Sequence, residues 1–62
     1  MVKKGDRIEI VETTEVKLKP GDKGIVKNIE RLPTEQYVLQ VIWDNGNQLP
    51  LIEGEDRFKV VT

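Results

Sequence analysis

The side chains in this chain that could do chemistry are carboxylates, ammonium groups and guanidinium groups. The 62 residues include no Cys and no His, and none is Ser. Nucleophilic catalysis therefore lacks both its thiol and its imidazole base, and zinc lacks its usual sulfur and nitrogen ligands. Asp44 heads the run Asp44-Asn45-Gly46-Asn47. That run has the oxygen donors of a calcium loop, but it lacks the spacing and the bidentate Glu. The simpler reading is that Asp44 caps the turn through its side-chain oxygen. Glu53, Glu55 and Asp56 gather around Gly54. They are either weak oxygen ligands for a hard cation or, more simply, a solvated turn capped by Asp56 with Arg57 as counter-charge. No glycine-rich loop leads into a helix to cradle a phosphate. A domain of this length also offers no deep, water-excluding cleft. We therefore expect no enzyme: no catalytic, cofactor-binding or metal-ligating residue.

The basic residues allow a different chemistry. Lys17, Lys19, Lys23, Lys27 and Arg31 could contact phosphates if they shared one side. Glu15, Asp22 and Glu30 are interleaved with them, however, and a mixed solvated surface is the plainer reading. Ten bases stand against eleven acids, for a net charge of −1. Residues 1–31 carry eight bases and six acids, and residues 32–62 two bases and five acids. A nucleic-acid binder should be more basic than this, so any such contact is expected to be weak.

The elements that must position these groups are strands. Tyr37 to Trp43 and Asn47 to Ile52 flank Asp44-Asn45-Gly46, and two apolar runs around Asn-Gly signal a hairpin. Gly46 supplies a positive φ there, and Asn45 tolerates one. Asp6 to Glu12 alternates, with Ile8 and Ile10 inward, until Val11 breaks the pattern. Pro20-Gly21 marks a type II turn closing a loop over 12–20, with Val16 and Leu18 tucked under as a satellite of the core. Lys23 to Glu30 is the next strand. Gly24 suggests close backbone approach or a bulge, and the Val26-to-Ile29 spacing of three suggests a bulge near Lys27-Asn28. Pro33 lies in a loop. A tight turn at 53–56 precedes a last strand from Arg57 to Val61. The predicted core is Ile8, Ile10, Val26, Leu39, Val41, Leu49, Leu51, Phe58 and Val60. Trp43 at its strand end could stack a base or grip a proline, but the plainer reading is a large structural filler. Gly21, Gly24 and Gly46 are expected to be needed for their backbone shapes. Five short strands joined by tight turns suggest a small antiparallel barrel, a single all-β domain over 1–62.

No apolar run approaches the ~18 residues of a membrane span. The N-terminal residues lack the apolar segment of a signal peptide. A cytoplasmic protein with no cofactor is the expectation.

Four stretches also carry a resemblance. They are Leu18-Lys19-Pro20-Gly21-Asp22-Lys23-Gly24, Trp43-Asp44-Asn45-Gly46, Leu49-Pro50-Leu51-Ile52 and Asp56-Arg57-Phe58. Together they resemble an uncharacterised family of small SH3-like barrel proteins from prokaryotes and their viruses, and the match covers nearly the whole chain. More distantly, Gly5-Asp6-Arg7-Ile8 and Gly24-Ile25-Val26 resemble the strand openings of KOW and Tudor barrels. The resemblance implies a five-stranded SH3-like barrel, and the KOW likeness implies nucleic-acid or ribosomal partners. KOW segments are usually basic, and this chain is not. Fold analogy is a weak warrant for function. The preferred expectation is a small binding or adaptor module for a protein partner, engaged through the outward side of the central hairpin at Val38, Ile42 and Pro50. Tyr37, with the parity of Trp43 but nearer a loop, either lines an exposed groove or is structural. The alternatives are weak nucleic-acid binding through the five basic residues, or a homodimer whose function lies in the assembly.

Overall fold

The computed structural model describes residues 2–61, and within them the chain is all-β. Five strands run in chain order: β1 (Arg7–Glu12), β2 (Lys23–Arg31), β3 (Tyr37–Trp43), β4 (Leu51–Ile52) and β5 (Arg57–Val60). They form one antiparallel sheet in the order β4-β3-β2-β1-β5. The sheet folds around one core into a small barrel-like domain with extents of 30 × 23 × 18 Å. Among the described residues no helix is long and apolar enough to cross a membrane.

Period-two patterning accounts for the core. Ile8, Ile10, Val26, Leu39, Val41, Trp43 and Leu51 are buried, together with Leu18 from the β1–β2 loop. The tally of apolar side chains is small, so each matters: a fully buried aliphatic or aromatic side chain contributes about 1.5–3 kcal/mol. Trp43 fills the core as expected, and its indole N–H donates to the Leu49 carbonyl at 2.9 Å. Leu49 and Phe58 are only half-buried but pack against this cluster. Val60 departs from expectation at 45% exposed. It has the inward parity, opposite Ile8, but β5 is an edge strand and the two-residue β4 does not reach across to cover it.

The strands bend where the spacing said they would. The β2–β3 register shifts between Val26 and Asn28, so Lys27 is the bulged residue. The β1–β5 register shifts between Ile10 and Glu12, which expels Val11 from the ladder. The Lys19–Asp22 turn closes with Asp22 N–H to Lys19 O at 3.1 Å and Gly21 at φ 97°. In the satellite loop only Leu18 tucks under. Val16 stands in water at 93% exposed, because the Leu18 N–H to Glu15 O bond (3.1 Å) makes a turn that points it out.

The central hairpin has the three-residue loop Asp44-Asn45-Gly46 that its flanking runs leave: Trp43 N–H donates to Asn47 O (2.9 Å) and Gly46 N–H to Trp43 O (3.0 Å). Three local expectations are corrected. Only Gly46 takes positive φ (92°), while Asn45 instead accepts the Asn47 N–H through Oδ1 at 3.0 Å. The fourth strand is Leu51–Ile52 alone, not Asn47 to Ile52. Pro50 has no N–H to give a ladder, and the Trp43 indole takes the Leu49 carbonyl. Gly24 has ordinary β geometry, so no special backbone shape is needed there, while the close approach its position suggested is present. A Cβ there would lie 2.7 Å from Ile42 O, 2.7 Å from Val41 Cγ1 and 2.9 Å from Trp43 Cε3.

Candidate functional site: an apolar groove with cross-braced walls

The bulge in β2 decides what surrounds the open side of the core. Before it, Gly24 and Val26 face inward opposite Trp43 and Val41. After it, Ile29 and Arg31 fall opposite Leu39 and Tyr37 on that same inner side. The result is a concavity of about 240 Å³ lined by Val2, Ile29, Tyr37, Leu39, Glu53 and Phe58. It holds the chain's only Tyr and only Phe. Arg31 lies over the Tyr37 ring, 5.6 Å from its centroid, where the ring quadrupole attracts it. Glu35 holds that guanidinium with an Oε1 contact at 3.4 Å. Glu35 itself sits at φ 69° in the β2–β3 loop.

The turn at 53–56 braces the walls. Asp56 Oδ2 accepts the Ile52 N–H at 3.0 Å, and Asp56 Oδ1 accepts the Thr13 hydroxyl at 2.7 Å. Thr13 Oγ1 in turn accepts the Glu15 N–H at 3.0 Å. Gln36 Nε2 donates to Glu53 O at 3.0 Å, and Glu53 N–H donates to Tyr37 O at 2.9 Å. The β1–β2 loop, the β2–β3 loop and this turn are thus tied together around the groove. Asp56 caps the turn as the sequence implied. Its second bond, to a residue 43 positions away, has no sequence signal.

The chain belongs to a family described as a domain of unknown function, DUF4314. The match covers residues 2–61. No curated protein matches the chain, and no solved structure does. The groove of this chain carries its own chemistry. Its lining is mostly apolar, as ligand sites usually are. A second recess of about 320 Å³, lined by Lys27, Asn28, Gln40, Val41 and Gln48, is polar and solvent-like.

The residues singled out from the sequence are divided between the two faces of the sheet. Tyr37 is half-buried in the groove. Ile42 lies on the opposite, outer face at 44% exposed, beside Ile25 of β2. Val38 shares that outer parity but is half-buried opposite Glu30 and Ile52. Pro50 is exposed on the segment leading into β4. The five basic residues are divided as well. Lys23 is 4.0 Å from Glu9 on the outer face, and Lys27 is exposed at the bulge. Arg31 is engaged with Tyr37 and Glu35 on the inner side, and Lys17 and Lys19 sit in the β1–β2 loop. Ile29, Leu39, Phe58, Glu53 and Val2 were not singled out for the site. The three-residue Val26–Ile29 spacing was the available signal for the first of them.

The carboxylate chemistry is equally plain. Asp44 does not cap its turn: Asn45 does that, and Asp44 forms a two-pronged pair with Arg7, with Nη1 to Oδ1 at 2.8 Å and Nη2 to Oδ2. Hydrogen bonding from Arg7, with smaller help from its charge and that of Lys23, holds the Asp44 carboxyl below its ordinary 3.8. The same bond raises the Arg7 guanidinium above its ordinary value. A general acid needs the opposite shift. Among the described residues no three carboxylates are grouped to hold a metal ion.

Proposed function

We propose that this protein is a non-catalytic binding module that takes an apolar side chain of a protein partner into the groove between Tyr37 and Phe58. The groove itself carries the reading: a concave apolar surface beside two aromatic rings, in a domain whose own core is small. Its walls are cross-braced before any partner arrives, which spares the ordering cost that weakens loop-built sites. Glu53 at the lining and Arg31 over Tyr37 place one charge of each sign at the rim, where they can orient a peptide without dominating its affinity. The division of the basic residues between two faces favours this over a nucleic-acid surface.

The test is selection of random displayed peptides on the immobilised protein, followed by titration of the enriched sequences against wild type, Phe58→Lys and Ile42→Lys. Peptides with one apolar anchor, perturbing Ile29, Tyr37 and Phe58 amides and weakened at least tenfold by Phe58→Lys only, are the expected result. Absence of enrichment, or binding that Phe58→Lys leaves intact, overturns the proposal.

A further inference from the structure

The outer face of the sheet carries a pattern that the groove does not use. Across β1, β2 and β3 one row reads Arg7, Ile25, Ile42. The neighbouring row on β5, β1 and β2 reads Lys59, Glu9, Lys23, with Asp44 beyond it, its N–H bonded to Lys23 O at 2.9 Å. Ile25 and Ile42 are directly opposed cross-strand neighbours and are 47% and 44% exposed. They lie in the interior strands of the sheet, not on an edge. Around them the charges alternate in sign, and each already has a partner within the chain. Arg7 holds Asp44, and Glu9 sits 4.0 Å from Lys23 and 4.0 Å from Lys59.

We infer that this face is the contact surface for a second copy of the chain, packed sheet to sheet about a two-fold axis near Ile25 and Ile42. A two-fold contact requires a patch complementary to itself. Alternating charges beside an apolar centre meet that requirement: a two-fold axis along the strands between Ile25 and Ile42 brings Lys23 of one copy opposite Asp44 of the other. A partner carrying one sign of charge gains nothing from such a row. Internal pairing also lowers the cost of covering the rim, because Arg7 holds Asp44 and Glu9 is shared between Lys23 and Lys59. A standard interface covers about 800 Å² per partner, roughly a fifth of the 4292 Å² surface here. The groove opens on the other side of the sheet. The dimer therefore presents two grooves facing outward, and bivalent partners gain from both.

The experiment is sedimentation of the untagged chain from about 10 µM to 2 mM, with wild type, Ile25→Lys and Ile42→Lys side by side. Wild type should move from the 7.1 kDa monomer toward twice that mass, with at least a tenfold weaker association in either variant. Folding of the variants is checked by circular dichroism. Concentration-dependent amide shifts in wild type give a readout independent of the variants, and they should centre on Arg7, Ile25, Ile42 and Asp44. A wild type that stays monomeric throughout, dimers unaffected by both substitutions, or shifts centred on Tyr37 and Phe58 would each overturn the inference.

Discussion

Replacing Gly24 by Ala tests the packing of the whole sheet with a single methyl group. The added Cβ would sit 2.7 Å from the Ile42 carbonyl oxygen, 2.7 Å from Val41 Cγ1 and 2.9 Å from Trp43 Cε3. None of the three can step aside cheaply. The first is backbone and moves only if β2 separates from β3, and the other two belong to the buried core. Forcing extra volume into such a site costs about 1–3 kcal/mol. Removing glycine's freedom in the unfolded chain returns about 0.5–1 kcal/mol. Taking the middle of both ranges, the net loss is about 1.3 kcal/mol, which for a domain of this size lowers Tm by roughly 5–10 °C. Urea and thermal unfolding followed by Trp43 fluorescence would measure it, and the emission should shift because the indole is one of the atoms displaced. Asn substitution separates space from shape. Gly46→Asn should be nearly neutral, because that site is open and Asn tolerates positive φ. Gly24→Asn should be worse than Gly24→Ala. A Gly24→Ala protein as stable as wild type would refute the account of how β2 and β3 approach one another.

Three further outcomes are expected. The folded-state carboxyl of Asp44 is depressed below 3.8, so the stability it adds is fully present above that pH and is lost as pH falls through its folded value. Urea midpoints of wild type and Asp44→Asn should therefore differ at pH 6 and converge at the acid end of a series to pH 2. Thr13→Val removes the hydroxyl that joins Asp56 to the β1–β2 loop and should cost about 1.5–3 kcal/mol in chemical denaturation, the range for a hydrogen bond to a charged group. Glu35→Gly relieves a left-handed residue at about 1–2 kcal/mol while losing an exposed ion pair with Arg31 worth ~0–1 kcal/mol. It should leave Tm equal or higher, and a clear fall would show that holding Arg31 over Tyr37 matters more.

Strand identity was legible because side-chain period reports directly on burial. Tyr37 to Trp43 could be read residue by residue, and the missed beat between Val26 and Ile29 located the β2 bulge. What sequence could not show depends on groups that meet across space. Asp44 preceding Asn-Gly has every local reason to cap, and only the folded sheet brings Arg7 within reach to outbid it. Val60 has inward parity, but parity does not tell that the strand lies at an edge with nothing beyond it. Gly24 announces closeness without saying whether the reason is φ or space, and the answer lies in Val41, Ile42 and Trp43. The groove was illegible for a similar reason. Its lining draws on four separate segments of chain, and its bracing rests on Thr13–Asp56 and Gln36–Glu53.

The pairing of β1 with β5 has a consequence for how this domain can be re-wired. The two strands are antiparallel neighbours, and Val61 N–H still donates to Arg7 O at 2.9 Å beyond the end of β5. The chain therefore enters and leaves the sheet at the same place. A few flexible residues would join residue 61 back to residue 2, and new ends could be opened in the exposed Asp44–Gly46 loop, where insertion disturbs little buried backbone. Such a circular permutant would keep every strand neighbour while reversing which contacts are local: β1 and β5 would become a hairpin, and β3 and β4 would pair across the length of the chain. For the same reason the domain could be spliced into a surface loop of another protein as a self-contained insert.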